Sequence, residues 1–416
     1  MSLYIKLKRA CRRTTSPFSL PREGGIFVKR NIQIWVFCML FMAFFLSGCS
    51  LMPTNTGVLI GTNLALSGKG MSYSTSTERG IELAKDMVNE RGGLLGKPVQ
   101  IVSVDNHGKP EDAVAAIQQL TVRHVSAIIG PDLTDCTRAV RANVEAVKIP
   151  LISPACTQPD ITVDPKSHEV YRYVFRAAYL DASQGRAMAD YALKQLHVRR
   201  AAVFYYPDKT YAQGLAEYFR SAFSAGGGEG PVYIPVEDVQ DLTKYLPLLQ
   251  GENVDVIYLP GYDDWTIPAI TILRSHGISQ PLLGPDGWNG PRMEREVAPA
   301  YLREVYYTDH YAGHDTSEAA KRFSQAYYEK YGEWPDSYAA LGYDAFMMTA
   351  EAIERCQSAE ATVVARELEK TIDYEGATGT ISLDANHDAI KDVFILTFKE
   401  KQPELAATIP FDVQTQ

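Results

Sequence analysis

The chain has 416 residues, 46% of them hydrophobic and 22% charged, so it holds enough apolar material for more than one domain core. Residues 1–48 carry eight of the 41 basic and one of the 50 acidic residues, which leaves 33 basic against 49 acidic residues beyond them. A body this acidic is a poor match for nucleic acid or an anionic membrane surface.

The amino terminus has the order of an export signal. Basic residues precede a short apolar run at Ile34–Phe45, which is too short for a comfortable membrane span. Leu46–Cys49 resembles the lipobox of bacterial lipoproteins, and this resemblance implies cleavage before Cys49, a lipid on its sulfur and acylation of the new terminus. We assign 1–48 to a lipoprotein signal peptide. The alternative is an uncleaved anchor helix with an incidental Cys. Residues 1–27 make the region before the apolar run unusually long, so a start near Val28 is left open.

Export to an oxidising compartment changes how the cysteines of the mature body are interpreted. Three remain, Cys136, Cys156 and Cys356, and none has the spacing of a metal site, so neither a metal nor another cofactor is predicted. For Cys136 and Cys156 the sequence leaves two states open, a disulfide and two free thiols. Cys356 is expected to be buried as a small hydrophobic residue.

From residue 57 onward, apolar runs alternate with amphipathic helical patterns. The first series is strand Gly57–Thr62, helix Ser76–Arg91, strand Val99–Val104, helix Pro110–Arg123, strand Ser126–Ile129, helix Asp135–Val147 and strand Pro150–Ser153. The second series is helix Ala182–Gln195, strand Ala201–Tyr205, helix Tyr211–Ala225, strand Val232–Pro235, helix Leu242–Leu249, strand Val254–Leu259 and helix Thr266–His276. Repeated units of this kind predict parallel sheets covered by helices on both faces.

The last part of the chain departs from this alternation. Its pattern predicts helices and then strands, at Ser317–Tyr331, Ser337–Ala350, Ala361–Thr371, Thr380–Leu383 and Val393–Phe398.

No sequence motif of a catalytic site is matched in full along the chain. Ser67–Gly70 follows a strand as a phosphate loop would, but Asn63 stands where that motif requires Gly, and Gly70 where it requires Ser or Thr. No catalytic residue is predicted, and we do not expect an enzyme.

Polar and aromatic residues instead follow several predicted strands, where open α/β sheets bind ligands. Between Gly57 and Phe398 the chain resembles the type I periplasmic binding proteins, specifically the leucine/isoleucine/valine-binding family. The stretches that carry the resemblance are Ala65–Gly68 with Tyr73, Ile129–Gly130 with Thr134, Ser153–Thr157, Tyr211–Gly214, and Gly261–Tyr262 with Gly284–Gly287. Each stretch alone is weak evidence for the resemblance. Together, in this order and at the ends of predicted strands, the stretches are strong evidence.

The resemblance implies two Rossmann-like α/β lobes with parallel sheets, joined by a hinge that the chain crosses three times. The amino-terminal lobe would comprise residues 57–178 and 312–375, and the carboxy-terminal lobe 179–311 and 376–416. The helices between residues 317 and 371 would therefore cover the first lobe. The order of the elements alone indicates two consecutive α/β units, so the interleaving is an expectation from the resemblance.

An amino-acid ligand needs donors for its carboxylate, acceptors for its ammonium and a pocket for its side chain. By resemblance, Thr134 and the helix start beside it hold the carboxylate, and Ala155 and Thr157 bind carboxylate and ammonium. Asp286 would neutralise the ammonium from the second lobe. The alternatives are an N-cap role for Thr134 and a turn role for Asp286.

Five further residues complete the predicted site. Tyr211 and Tyr262 would add hydroxyl groups and π faces, and Tyr73 and Trp288 would line the side-chain pocket, with Tyr338 as a weaker candidate. Cys156 replaces a small residue of the family inside the binding stretch and would narrow the site. The tyrosines could equally be packing residues, and Trp288 could pack at a lobe edge.

The resemblance implies a periplasmic or cell-surface lipoprotein that captures an amino acid between its lobes. It would act as a monomer and deliver the ligand to the permease and ATPase of an ABC importer. The alternative function is a sensor of the same fold for an amino acid, an amide or another small carboxylate. Whether the ligand is branched, aromatic, a γ-amino acid or an amide is left open.

Cys49→Ala should abolish lipidation and move the protein from the detergent phase to the aqueous phase. The reason is that acyl chains anchor a protein by about 0.8 kcal/mol per buried CH₂ group. Phase partitioning and intact-mass measurement check this, and Cys38→Ala, within the segment expected to be removed, is the matched control. A mature wild-type protein without a lipid adduct on Cys49 would contradict the assignment.

Overall fold

The computed structural model describes residues 57–411, except residues 252, 290, 314 and 315. The predicted signal peptide and Cys49 lie outside the described residues. Within them, no helix combines the length and the apolar composition that crossing a membrane requires.

Strands and helices alternate along most of the described chain. The strands are β1 Val58–Leu64, β2 Val99–Asp105, β3 Ala127–Ile129, β4 Leu151–Ser153, β5 Val174–Arg176, β6 Arg200–Tyr205, β7 Glu229–Pro235, β8 Val256–Tyr258, β9 Leu282–Gly284, β10 Val305–Asp309, β11 Tyr374–Gly376, β12 Gly379–Leu383, β13 Ala389–Ile390, β14 Val393–Lys399 and β15 Gln402–Ile409. The helices are α1 Met71–Glu90, α2 Pro110–Val122, α3 Thr134–Val147, α4 Asp181–Lys194, α5 Thr210–Ala225, α6 Leu246–Gln250, α7 Asp263–Ser275, α8 Pro291–Glu296, α9 Glu318–Tyr331, α10 Ser337–Cys356 and α11 Ala361–Leu368.

Two sheets organise the chain. The first has the order β2-β1-β3-β4-β5 and is parallel throughout. The second has the order β15-β14-β10-β9-β8-β6-β7, and it is mixed because β14 runs antiparallel to both β10 and β15. The central strands are fully buried apolar runs, as expected where helices cover both faces of a sheet. The predicted α/β class is confirmed, with antiparallel strands added at one edge of the second sheet.

The chain passes between the two sheets three times, after β5, after β10 and between β13 and β14. After the second passage, α10 returns to pack along α1 of the first sheet. A Cβ atom on Gly80 would lie 1.9 Å from the carbonyl oxygen of Ala339, and one on Gly342 would lie 2.4 Å from that of Thr77. Glycine at these two positions therefore permits the close helix crossing that ties the returning segment to the first lobe.

The small sheet β11-β12-β13 also packs with the first lobe. Ile381, Leu383 and Ala389 belong to the same buried cluster as the strands of the first sheet. The family resemblance implies that residues 376–416 belong to the second lobe, but in the structure only the part from β14 onward joins the second sheet. Strands β12 and β13 stay with the first lobe because their apolar side chains are buried in its hydrophobic core. The chain crosses to the second sheet only after β13.

A buried ion pair joins this small sheet to β5. Nε of Arg176 lies 2.7 Å from Oδ1 of Asp388, and the two side chains are only 0% and 5% exposed. Arg176 also donates to the carbonyl of Cys156 at 3.1 Å, and Thr162 donates to Asp388 at 2.6 Å. The guanidinium thus reaches from the last strand of the first sheet to the strand end that carries the predicted site.

Asp388→Asn should destabilise the protein by about 3–5 kcal/mol, because it leaves the buried guanidinium of Arg176 without its counter-charge. Urea unfolding measures this change. Glu404→Gln is the control, since Glu404 pairs with Lys399 at 3.3 Å where the side chains are 52% and 72% exposed, and it should cost less than about 1 kcal/mol. Equal losses in the two variants would argue against a structural role for the buried pair.

Candidate functional site

The carboxyl ends of the two sheets face each other across a small void of about 10 Å³. Residues from both lobes line it: Tyr73, Asp132, Leu133, Thr134, Ala155, Tyr211, Tyr262, Asp286 and Tyr338. The void adjoins a wider outer cleft of about 370 Å³, and Tyr73, Leu133, Thr134 and Tyr262 line both spaces. Six of the nine predicted ligand residues therefore meet around one void.

The first lobe contributes hydrogen-bond donors through the start of α3. Thr134 is the first residue of this helix, and no side chain caps it. The backbone N–H groups of a first helical turn have no intrahelical acceptor, and with the helix dipole they attract a negatively charged group. Ala155 follows β4 and brings the loop after that strand to the same void. This wall of the void is suited to a carboxylate.

Four tyrosines form the sides of the void. The rings of Tyr211 and Tyr262 are stacked with centroids 4.6 Å apart, and the ring of Tyr73 lies 4.7 Å from that of Tyr338 and 6.0 Å from that of Tyr262. Burial raises the pKa of each of these hydroxyls well above the usual value, so all four are neutral. The void thus has π faces and neutral hydroxyl groups on several sides.

Tyr73 links the two lobes directly. Its hydroxyl donates to the carbonyl of Gly287 at 3.2 Å and accepts from the backbone N–H of Asp263 at 2.9 Å. A second interlobe contact runs from Arg138 on α3 to the hydroxyl of Thr210 at 3.1 Å. These contacts hold the lobes together around the void.

Asp286 is buried in the second lobe, at the end of a network of polar groups. Its Oδ1 accepts from the hydroxyl of Tyr211 and, at 3.2 Å, from Nε2 of Gln184. Its Oδ2 lies 2.9 Å from Nε2 of His310. Burial lowers the pKa of His310 to about 4, so the imidazole is neutral at physiological pH and supplies a hydrogen bond without a positive charge. Asp286 therefore has no cationic partner among these neighbours.

Two further carboxyl groups lie behind Asp286. Burial, with the charge of Asp286 as the next cause, raises the pKa of Asp181 to about 7, and Gln184 donates to Asp181 at 2.7 Å. Burial also raises the pKa of Asp309 to about 8. Gln184 thus connects two acidic residues through a single amide. Because of these raised pKa values, Asp309 is mostly protonated and Asp181 partly protonated at neutral pH.

Sequence reasoning missed Asp132, Gln184 and His310. Asp132 stands two residues before Thr134 on a wall that was predicted, and its place in Gly130–Thr134 was the available signal. His310 directly follows β10, and that strand was not predicted, so nothing marked the residue. Gln184 lies one turn inside a helix, where its sequence position carried no signal.

Three predicted ligand residues do not line the void. Trp288 is 1% exposed and lies in the core of the second lobe, because the turn after β9 folds its indole under Gly284 and its N–H donates to Leu259 at 3.2 Å. The prediction that it lines the side-chain pocket is therefore wrong in this structure. Thr157 is buried, and its hydroxyl has no hydrogen-bond partner among the described residues.

Cys156 lies behind the wall of the void. Its sulfur contacts the hydroxyl of Thr137 at 3.0 Å and the carbonyl of Asp132 at 3.2 Å. Cys136 and Cys156 are free thiols, and of the two states that the sequence leaves open the structure has the unlinked one. Cys356 is partly exposed, whereas burial was expected.

Two α/β lobes with polar residues between the carboxyl ends of their sheets have the architecture in which open α/β sheets bind ligands. A family model described as periplasmic binding protein matches residues 57–403. The chain belongs to the periplasmic binding protein family.

The similar proteins fit this assignment. The Leu/Ile/Val-binding protein of Escherichia coli (strain K12) is 26% identical over 224 residues, which are 54% of this chain and 59% of that relative's length. The chain thus spans little more than half of the sequence relative that it matches.

Two solved structures match over nearly their whole length. The leucine binding protein LivK of Thermotoga maritima MSB8 superposes with a TM-score of 0.76 at 31% identity, covering 85% of this chain and 99% of that one. The branched-chain amino acid transporter substrate binding protein LivJ of Streptococcus pneumoniae, in complex with isoleucine, gives 0.75 at 30% identity with the same coverage. The type I periplasmic binding protein fold expected from the sequence is confirmed.

Asp309→Asn should flatten the pH dependence of stability. The folded-state pKa of Asp309 is about 8, against about 3.9 for an unfolded chain, so between pH 5 and 7 the folded state holds one proton more. Stability then falls as pH rises, by up to about 1.4 kcal/mol per pH unit for this group. Urea titrations at several pH values check the slope. Asp190→Asn, at a surface pair with Lys194, should retain the wild-type slope, and an unchanged slope in Asp309→Asn would refute the assignment.

Proposed function

We propose that this chain is an extracytoplasmic receptor that captures an amino acid between its lobes and delivers it to an ABC importer. The observation that carries the proposal is the division of the site. Anion-binding donors at Thr134 and the start of α3 belong to the first lobe, whereas the carboxylate of Asp286 belongs to the second, and both line one void. An amino acid carries the matching pair of charges on adjacent groups.

Thr134 and the free N–H groups beside it bind the ligand carboxylate, and Ala155 borders the same wall. Asp286 binds the ammonium, because a charge-assisted hydrogen bond to a buried carboxylate is stronger than one between neutral groups. The stacked rings of Tyr211 and Tyr262 add π faces beside that ammonium. Thr157 and Cys156 support the wall from behind, and Tyr73 and Tyr338 close the side of the void.

Binding and lobe closure are one event in this proposal. A ligand that contacts both lobes stabilises only the closed form, and a shift from 1:99 to 99:1 in favour of that form needs about 5.5 kcal/mol of differential affinity. Two or three charge-assisted hydrogen bonds of about 1.5–3 kcal/mol each can provide this. The closed lobes then present one surface to the permease and ATPase of the importer.

The remaining expectations stand as parts of the same proposal. The lobes comprise 57–178 with 312–375 and 179–311 with the terminal strands, and β11 to β13 are added to the first lobe. The protein is a monomer without catalytic activity, and lipid on Cys49 anchors it at the periplasmic or cell-surface side of a membrane.

Native mass spectrometry of the purified mature protein tests ligand capture directly, since a retained amino acid would be seen as a discrete mass shift.

Asp286→Asn should weaken amino-acid binding by about 30-fold to several-thousand-fold, because truncating one partner of a desolvated charge pair costs about 2–5 kcal/mol. Thr134→Ala should cost less, about 1–2 kcal/mol, since the backbone donors at the helix start remain. Calorimetry against a panel of amino acids gives the comparison.

Asp264→Asn is the matched control for Asp286→Asn. Asp264 lines the outer cleft and pairs with Lys69 at 3.8 Å, where the two side chains are 54% and 53% exposed. Such a pair is worth at most about 1 kcal/mol, so binding should change by no more than about fivefold. If Asp286→Asn binds like wild type while Thr134→Ala does not, the assigned polarity of the site is wrong.

A further inference from the structure

Within the part of the chain that the structure describes, one carboxylate oxygen in the wall of the void makes no hydrogen bond of ordinary geometry. Asp132 is 6% exposed, and its Oδ2 accepts from the hydroxyl of Ser74 at 2.9 Å. Its Oδ1 is buried and makes no hydrogen bond of ordinary geometry among the described residues, and the Thr77 hydroxyl is the other polar side chain beside this carboxyl group. A buried polar atom in this state is costly, and natural proteins rarely leave one unsatisfied without a functional reason. Because Asp132 lines the void, a bound ligand can supply the missing donor.

Asp132 is also uncompensated in charge. Among the residues that line the void, Asp132 and Asp286 are the two carboxylates, and none is a lysine, arginine or histidine. Asp132 borders the void from the first lobe, directly before the donors of α3, whereas Asp286 borders it from the second. Burial raises the pKa of Asp132 to about 6, a value at which the carboxylate is still mostly ionised at neutral pH.

We propose that Asp132 binds a second protonated nitrogen on the ligand, so that the receptor prefers basic amino acids to aliphatic ones. This inference rests on the proposed function and specifies its substrate class. The ligand carboxylate meets the start of α3, its α-ammonium meets Asp286, and the nitrogen of its side chain meets Oδ1 of Asp132.

The balance of charge favours a cation over a neutral donor at Asp132. A zwitterionic aliphatic amino acid would bring no net charge to a void with two carboxylates, whereas a basic amino acid brings one additional positive charge. The four surrounding tyrosines add π faces, and a π face attracts a cation more strongly than it attracts a neutral amide.

Calorimetry with ligand pairs that differ only in the side-chain nitrogen tests the inference. Lysine against norleucine and ornithine against norvaline are such pairs. Wild type should bind the basic member at least about tenfold more tightly. Asp132→Asn should weaken binding of the basic member at least about 30-fold while changing the neutral member by no more than about threefold. Asp132→Glu, which keeps the charge, should retain the preference.

Asp112→Asn is the matched control, because Asp112 lies on α2, outside the residues that line the void and the outer cleft, with a side chain that is 38% exposed. It should leave the preference of wild type unchanged. The inference is overturned if wild type binds norleucine as tightly as lysine, or if Asp132→Asn weakens both members of a pair equally. In either case the proposed function stands, since an amino acid is still bound. If neither these ligands nor leucine and isoleucine bind wild type, the proposed function fails as well.

Discussion

A carboxylate that is buried between two lobes without an opposite charge raises the free energy of the closed state, and this chain carries such groups on both sides of its cleft. Asp132 borders the void from the first lobe and Asp286 from the second. The nearest imidazole, His310, is neutral because burial lowers its pKa to about 4. Among the described residues that line the void, no cationic side chain therefore balances the carboxylates of Asp132 and Asp286. The hydrogen-bond donors, aromatic rings and helix start around the void therefore surround an uncompensated negative charge.

The folding of the chain explains how these groups come to face one another. The carboxyl ends of parallel strands lie at one edge of each sheet, and three crossings between the sheets place the two edges opposite each other. The close crossing of α1 and α10 at Gly80 and Gly342 fixes Tyr338 beside Tyr73. The buried pair of Arg176 and Asp388 connects the last strand of the first sheet to the segment that leads into the third crossing. The three crossings, the close packing of α1 on α10 and the pair of Arg176 and Asp388 thus position the ends of strands and the starts of helices, although they lie outside the site.

Much of this arrangement could be predicted from the sequence, and the failures have physical causes. Apolar runs identified most helices and many strands, including the three-residue strands β3, β4 and β8. The equally short β5 and β9 and the five-residue β10 were not predicted. Strand β15 was missed because it is largely exposed and lacks an apolar face. Trp288 was misplaced because a turn, and not periodicity, decides whether an indole points to a void or a core. Asp132 was missed because an unpaired oxygen is a property of three-dimensional packing.

The strength of the contacts between the lobes determines whether closure depends on a ligand. The neutral hydrogen bonds of Tyr73 are worth about 0.5–1.5 kcal/mol each, and the hydrogen bond from the charged guanidinium of Arg138 about 1.5–3 kcal/mol. The half-exposed pair of Lys69 and Asp264 is worth at most about 1 kcal/mol. Against this small gain stands the cost of burying the carboxylates of Asp132 and Asp286 in one void. A cation bound in the void reverses that electrostatic cost, because it turns two unpaired carboxylates into partners. If the proposed function and the proposed cation site hold, the same residues oppose closure without a ligand and favour it with a positively charged one, so that affinity and conformational change share one electrostatic origin.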